Sequence, residues 1–153
     1  MHIVLFEPEI PPNTGNVARL CAAMGVELHL VEPLGFSLED RYLKRAGLDY
    51  WPHVRFFVWP DMAAYMAGPG QTKRLVASSS RAGHAVHNFP FSRDDAIVLG
   101  PETRGLPEEV LALTEYRVRI PIFGQVRSLN LSTAAGILLA QAMAVNGMFD
   151  EGR

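Results

Sequence analysis

Short apolar runs alternate with longer amphipathic stretches along the whole chain. The runs are rich in branched and aromatic side chains, which is typical of buried strands. They predict six strands, at residues 2–6, 27–31, 54–58, 73–77, 96–99 and 117–120.

Between these runs the apolar residues recur at helical spacing. A helix is predicted to begin at Gly15 or Asn16, after a loop that contains three prolines, and to end before Gly25. Further helices are predicted at residues 38–46, 61–67, 107–113 and 131–149. Strands that alternate with helices indicate an α/β fold with a mostly parallel sheet flanked by helices. We expect a single domain, residues 1–153.

The last predicted helix, residues 131–149, is apolar on nearly every side. Such a helix is normally buried all round. In a domain of this size a second copy of the chain is the natural way to cover it, so the sequence predicts a homodimer. Ser132 and Thr133 are predicted to cap the start of this helix.

Composition excludes several classes of protein for this chain. The formal net charge is −2, so any nucleic acid must bind a local patch rather than a strong overall field. Cys21 is the single cysteine, which excludes a disulfide within the chain. No apolar run is long enough to span a membrane, and the N-terminal run is too short for a signal peptide. We therefore expect a soluble cytoplasmic protein.

Two local features resemble ligand sites but favour simpler interpretations. Residues 68–73 resemble a phosphate-binding loop, but they precede a predicted strand and lack the spacing of that motif, so a surface turn is favoured. His84 and His87 have the spacing of a metal pair, but no nearby Cys, Asp or Glu completes the site before Asp94. No metal is expected.

Three loops that follow predicted strands or open helices are rich in Gly, Asn, Ser, Glu and Arg. They are N-T-G-N-V-A-R at residues 13–19, G-P-E-T-R-G-L at 100–106, and the segment 120–130 with its sequence R-S-L-N from Arg127. In a parallel sheet, ligands bind beyond the carboxyl ends of the strands, where such loops converge. Each loop alone is ordinary turn chemistry.

Together these motifs resemble the SPOUT superfamily of knotted methyltransferases. Within it, the chain is similar to the small tRNA (cytidine/uridine-2′-O)-methyltransferases that modify the wobble nucleotide. The similarity covers essentially the whole chain, including the opening E-P-E-I-P-P-N-T-G-N and the segment K-R-A-G-L-D-Y at residues 44–50.

This resemblance implies a C-terminal trefoil knot, which periodicity cannot reveal, and a homodimer. It also implies S-adenosyl-L-methionine as cofactor. The positions that match the family's cofactor contacts are Ser78, Gly100, Ile120, Ser128 and Leu129. Without the resemblance, Ile120 would be interpreted as a core residue at a strand end. A glycine at position 100 suits close approach of the backbone to a ligand.

The implied reaction moves a methyl group to a ribose 2′-oxygen of tRNA. Arg19 is the family's candidate for handling the hydroxyl, with Asn13 and Asn130 as further catalytic candidates. Because a guanidinium stays protonated, Arg19 is better suited to orient the hydroxyl and stabilise a developing alkoxide than to act as a base. The simpler interpretations are a surface arginine for Arg19 and a helix cap for Asn130.

Further residues are candidates for substrate binding, and each has a simpler role as a solvated surface, loop or turn residue. The basic cluster of the predicted helix 38–46 could grip the anticodon stem-loop through phosphate contacts. The candidates are Asn16, Arg41, Lys44, Arg45, Glu102, Arg104 and Arg127.

The leading hypothesis is therefore ribose 2′-O-methylation of tRNA at the wobble position, nucleotide 34. The alternatives are 2′-O-methylation of another tRNA site or of rRNA, and a non-catalytic RNA-binding module of the same fold. The pattern does not indicate which wobble bases are accepted or which group takes the 2′-OH proton.

Overall fold

The architecture is a seven-stranded sheet with helices on both faces. The computed structural model describes residues 1–41, 43, 45 and 50–151. The sheet has the order β3-β2-β1-β6-β4-β7-β5, and every pair of neighbouring strands is parallel. The strands are β1 His2–Phe6, β2 Glu27–Val31, β3 Phe56–Trp59, β4 Arg74–Ser78, β5 His84–Ala85, β6 Asp95–Leu99 and β7 Arg117–Arg119. The predicted α/β class is confirmed.

Two helices cover one face of the sheet and shorter helices lie elsewhere. Four α-helices lie wholly within the described residues: α1 Pro11–Met24, α2 Met62–Ala67, α3 Glu108–Leu111 and α4 Leu131–Val145. Helices α1 and α4 pack on each other and bury Val17, Cys21, Leu138 and Leu139 in the larger core cluster. Helices α2 and α3 contribute to a second, smaller cluster built around Tyr65.

The predicted start of the first helix was wrong. Helix α1 begins at Pro11, not at Gly15 or Asn16, because prolines occupy its first positions. A proline there costs no helical hydrogen bond, and its fixed φ angle suits a helix. As a result Asn13, predicted to lie in a loop, sits in the first turn of the helix and is buried.

The last helix also differs from the prediction. Asn130 caps α4 through its side chain, which accepts a hydrogen bond from the Ser132 N–H, so Ser132 and Thr133 are helical residues and not caps. The helix ends at Val145, and residues 148–150 form a separate 3-10 turn. The helix is not buried all round within one chain, since Thr133, Ile137 and Ala144 are exposed along one side.

Several strand and helix bounds moved by one or two residues. Strand β3 runs to Trp59 and β4 begins at Arg74, whereas helix α3 is shorter than predicted. Strand β5 was missed, because two residues carry no detectable alternation. Residues 69–72 form a 3-10 turn before β4, as the surface-turn interpretation requires.

Part of the predicted basic helix 38–46 can be compared. Arg41, Leu43 and Arg45 have helical backbone, whereas Lys44 lies outside the described residues. Within the described part of the chain, no helix is both long and apolar enough to cross a membrane. The trefoil knot stays a prediction.

Candidate functional site

Three predicted cofactor positions lie side by side at the carboxyl-terminal ends of three neighbouring strands. Strands β6, β4 and β7 are neighbours, and their carboxyl ends carry Gly100, Ser78 and Ile120. Ser78 pairs with Val118, and the Ser79 N–H donates to the Val118 carbonyl at 2.9 Å. Three positions that lie 20 or more residues apart in sequence therefore meet at the carboxyl-terminal ends of the strands, where parallel sheets bind ligands.

Gly100 is required first by the protein's own backbone. A Cβ atom there would lie 2.4 Å from the Leu106 nitrogen and 2.5 Å from the Gly105 carbonyl carbon. The segment 100–106 thus folds back tightly on the end of β6, and a hydrogen bond from the Gly105 N–H to the Pro101 carbonyl closes the turn. The glycine keeps this loop against the strand end.

The segment 120–129 offers unpaired backbone groups next to these strand ends. In the described structure its N–H and C=O groups make no hydrogen bond within the protein. Ile120, Pro121 and Ile122 are half-buried, whereas Arg127 and Ser128 are exposed and Leu129 is half-buried. Backbone groups normally find a partner when they are removed from water. This arrangement can hold a flat heterocycle by its edge, so it fits the adenine of S-adenosyl-L-methionine.

Two carboxylates join the first and second loops. Glu102 accepts hydrogen bonds from the backbone N–H groups of Glu9, at 2.8 Å, and of Ile10, at 3.4 Å. In return, Glu9 accepts from both the N–H and the hydroxyl of Thr103, which lowers the pKa of the Glu9 carboxyl. Glu102 therefore orients the start of α1. Sequence analysis missed Glu9 and Thr103, since no local pattern reveals a contact between loops so far apart.

The first and third loops are joined by two amides. The Asn130 Nδ2 atom donates to Oδ1 of Asn13 at 2.9 Å. The Asn130 Oδ1 atom accepts from both the N–H and the hydroxyl of Ser132. Asn130 therefore does what its simpler interpretation proposed, capping α4, and also fixes Asn13.

Arg19 lies on the exposed side of α1 together with Asn16. Its guanidinium stacks over the ring of Tyr50, 4.6 Å from the ring centroid. It lies six positions after Asn13, which is about 9 Å along a helix axis. No contact between described residues joins Arg19 to Ser78, Gly100 or Ile120. Tyr50 is a further residue that sequence analysis did not single out, although it ends the segment 44–50.

The remaining candidates are surface residues of different kinds. Arg104 pairs with Glu7 at 3.4 Å, which ties the second loop to the end of β1. Arg127 is exposed in the unpaired segment. Arg41 and Arg45 are exposed, and no contact between described residues brings them to the strand ends.

A group of residues with the chemistry of metal ligands lies in the amino-terminal halves of β1 and β2. His2, Glu27 and His29 place their ligand atoms within 4.8 Å of one another. The Trp59 indole N–H donates to Nδ1 of His29 at 3.0 Å, so neutral His29 carries its proton on Nε2 and donates it to Glu27. Because an indole can only donate, this bond leaves His29 no lone pair for a metal. The group is a hydrogen-bonded cluster, with the His2 ring also 2.6 Å from the Tyr65 hydroxyl.

Comparison with known proteins shows the family to which the chain belongs. The sequence profile of the SpoU rRNA methylase family matches residues 1–140. The chain belongs to this family.

SpoU family members with high identity align over nearly their full length. A protein from Methylovorus glucosotrophus named tRNA (cytidine(34)-2′-O)-methyltransferase is 50% identical over 145 residues, covering 92% of each chain. A protein of the same name from Escherichia coli is 42% identical and covers 93% of this chain and 91% of its own.

Solved structures of the family agree in fold. One, from work on the 2-OH methylation of C/U34 on tRNA, superposes with a TM-score of 0.90 at 47% identity, covering 95% of this chain and 96% of the other. The SpoU methyltransferase AviRb from Streptomyces viridochromogenes, solved with AdoMet, has a TM-score of 0.85 at 24% identity and is covered to 61%. At that identity the AviRb structure establishes the shared fold only.

Proposed function

We propose that this protein transfers a methyl group from S-adenosyl-L-methionine to the ribose 2′-oxygen of nucleotide 34 of tRNA. The observation that carries this proposal is full-length similarity to proteins named for that reaction, at 50% and 42% identity. The family profile is named after rRNA, but these relatives are named after tRNA. The joined loops support an active site at the carboxyl edge of the sheet.

The residues at the strand ends fit the methyl donor. Ser78, Gly100 and Ile120 would line one side of it, and the unpaired backbone of 120–129 would hold its polar edges, with Ser128 and Leu129 at the far end of that segment. When bound, the donor supplies an electrophilic methyl group on a sulfonium. The protein must exclude water and align the ribose oxygen with that methyl.

Asn13, Arg19 and Asn130 are proposed to serve the ribose. The Asn130 amide fixes the Asn13 amide with its Oδ1 towards α4, so the Asn13 Nδ2 group remains available as a donor. Arg19 is held by Tyr50 and carries a permanent charge. We propose that Arg19 orients the 2′-hydroxyl or an adjacent phosphate and stabilises negative charge that develops on the oxygen. Asn16 lies on the same exposed side of α1 and is proposed to contact the RNA.

A homodimer is also part of the proposal. Apolar side chains remain exposed on and beyond α4, with relative exposures of 38% for Ile137, 51% for Val145 and 41% for Phe149. Phe123, in the unpaired segment, is 97% exposed. Exposed apolar patches of this kind mark interaction sites. A second copy of the chain is proposed to cover them.

The tRNA is proposed to present its anticodon stem-loop, in the cytoplasm, with no metal required.

A methylation assay with a defined tRNA tests the proposed function. Purified protein, S-adenosyl-L-methionine and a tRNA transcript with cytidine at position 34 are incubated, and the ribose methylation is mapped by mass spectrometry. Methylation of the ribose at nucleotide 34 alone is expected. Methylation at another nucleotide, or none in the presence of bound cofactor, would overturn the proposal.

A further inference from the structure

Some arginines of this protein pair with a carboxylate and others do not. Arg55, Arg74, Arg93 and Arg104 each pair with a carboxylate. Arg81 and Arg119 have no carboxylate within ion-pair distance among the described residues. Other arginines, among them Arg117 and Arg127, also lack such a partner, but Arg81 and Arg119 lie beside the carboxyl ends of β4 and β7, next to the proposed cofactor site.

A hydrogen-bonded turn contains Arg81 and is contacted by Arg119. The Ser79 hydroxyl accepts from the N–H groups of Arg81 and Ala82, at 3.2 and 3.3 Å. The Arg119 Nε atom donates to the Gly83 carbonyl at 3.2 Å, and its terminal nitrogens have no hydrogen-bond partner among the described residues. A Cβ atom on Gly83 would lie 2.5 Å from the Arg117 carbonyl oxygen, so the turn packs directly on β7.

The chain segments that contain this turn, β4 and β7 carry no acidic residues. The sequence has no Asp or Glu in residues 62–93 or 116–149. His84 and His87, both exposed, follow Arg81 along the same edge. We call Arg81, His84, His87 and Arg119 the basic edge. Apart from the bond from Arg119 Nε to Gly83, neither guanidinium has a hydrogen-bond partner among the described residues, and such planar N–H donors suit an anion.

The other half of the same carboxyl edge is acidic. Glu7 follows β1, Glu32 follows β2 and Asp61 lies just beyond β3, and these three line one groove together with Glu109. Arg104 pairs with Glu7, but no described cation pairs with Glu32, Asp61 or Glu109. The carboxyl ends of β4, β7 and β5 are therefore a more favourable site for a polyanion than those of β1–β3. The net charge of −2 conceals this division.

We infer that the basic edge binds the phosphate backbone of the substrate tRNA beside the cofactor site. This inference rests on the proposed function, because it takes tRNA as the polyanion. Phosphate contacts fix the register of an RNA without reading its sequence. Arg81 and Arg119 would thus supply affinity and position, while the loops that contain Asn13 and Arg19 act on the ribose.

The test compares two double variants with the same change in net charge. The first variant, Arg81→Gln with Arg119→Gln, removes the two arginines of the basic edge. The control, Arg55→Gln with Arg93→Gln, removes two arginines that lie just before β3 and β6, at the amino-terminal ends of the strands. Binding of a full-length tRNA transcript is measured by fluorescence anisotropy from 50 to about 300 mM KCl, a range over which phosphate contacts weaken strongly. Cofactor binding is measured by calorimetry, and folding by thermal denaturation.

For the basic-edge variant we expect a Kd for tRNA that is about tenfold higher. The slope of log K against log salt concentration should be shallower by about 1.4, since each single-stranded phosphate contact contributes about 0.7. The Kd for the cofactor and kcat at saturating tRNA should stay within about twofold of the wild type, as for positioning residues. The control variant should bind tRNA as the wild type does, apart from a small uniform effect of net charge.

An unchanged Kd and slope, or equal losses in both variants, would overturn the inference. Failure of the proposed function gives a different result: wild-type protein would bind cofactor but leave nucleotide 34 unmethylated. The binding comparison does not depend on methyl transfer, so it still decides whether the basic edge contacts RNA phosphate.

Discussion

The amide of Asn130 donates to the amide oxygen of Asn13 across 117 residues of sequence, at 2.9 Å. The Asn130 orientation is fixed at its other end, because the Ser132 N–H is a backbone donor and must face an oxygen. Consequently Asn130 presents its nitrogen to Asn13, and Asn13 presents its oxygen. One helix cap thus determines which atom of Asn13 is free to meet a ligand.

Removing this bond should be measurable as a coupling energy. We expect Asn130→Ala to lower the free energy of unfolding by about 2 kcal/mol, since it removes both a cap and a bridging hydrogen bond. Asn13→Ala should cost about 1 kcal/mol, and the double variant less than the sum. Urea denaturation of the wild type, the two single variants and the double variant gives the four free energies of a double-mutant cycle. Strict additivity would show that the two amides do not interact in solution.

The carboxylate of Glu102 should control the start of α1. In Glu102→Gln one oxygen is replaced by an amide donor, which cannot accept from the Ile10 N–H. We expect a loss of about 1 kcal/mol in stability and faster hydrogen exchange at the amides of Glu9 and Ile10. Glu115→Gln is the matched control, because Glu115 is exposed and makes no hydrogen bond or ion pair in the described structure. Unchanged exchange at Glu9 would contradict the proposed orienting role.

Gly100→Ala should move the second loop. The added carbon would lie 2.4 Å from the Leu106 nitrogen, and backbone atoms cannot give way as a flexible side chain can. We expect a loss of about 1–3 kcal/mol in stability and cofactor binding weakened at least tenfold in calorimetry. Gly136→Ala is the control, since nothing lies within 4 Å of the added carbon and alanine favours a helix. Wild-type cofactor affinity in Gly100→Ala would exclude the tight loop as part of the site.

Protonation of His2 should make the protein acid-sensitive. Burial, followed by the neighbouring His29, lowers the pKa of His2 from 6.5 to about 3. Above pH 6.5 the imidazole is neutral in both folded and unfolded chains, so it contributes no pH dependence. Between about pH 6.5 and 3 only the unfolded chain takes up the proton, so stability falls as pH falls, by up to about 1.4 kcal/mol per pH unit.

The variant His2→Phe keeps a ring at this position but does not titrate. We expect its free energy of unfolding to fall less steeply as the pH falls, because unfolding of this variant takes up nearly one proton fewer than unfolding of the wild type. This difference in slope does not depend on the stability of the variant at pH 7. Urea denaturation from pH 7 to pH 4 measures both slopes. Carboxylates such as Glu9, whose pKa is also lowered, contribute equally to both proteins. Parallel pH curves would mean that His2 is protonated in the folded chain.

Arg19→Ala should separate chemistry from binding. We expect cofactor affinity and the oligomeric state to be retained and methyl transfer to fall at least a hundredfold, as when a charge-stabilising donor is lost. Tyr50→Leu, which leaves the arginine but removes the ring beneath it, should give a smaller loss in kcat. Full activity of Arg19→Ala in a tRNA methylation assay would remove this residue from the proposed mechanism.

Local patterns predicted the elements of this fold but not how its loops are joined. Strands β1 and β2 were predicted with their observed bounds, because a buried parallel strand is a continuous apolar run between breakers. The start of α1 was misplaced because proline, a helix breaker inside a helix, is well accommodated at its first turn.

The candidate site was only partly predictable for a different reason. Ser78, Gly100 and Ile120 were identified through the family resemblance, and the strand order brings them together. The bond from the Glu9 N–H to Glu102 spans 93 residues, and Tyr50 reaches Arg19 from another part of the chain. Such pairs follow from the tertiary arrangement, which hydrophobic periodicity does not encode.

The position of β1 between β2 and β6 has a consequence for synthesis on the ribosome. Strand β1 is the first to emerge, yet one of its two neighbours begins only at Asp95. Until then a strand that is fully buried in the folded protein has an open edge, which is a template for pairing with another nascent chain. Polypeptides released before residue 95 should therefore aggregate, and the cell's capacity to shield this edge should set the yield of folded protein.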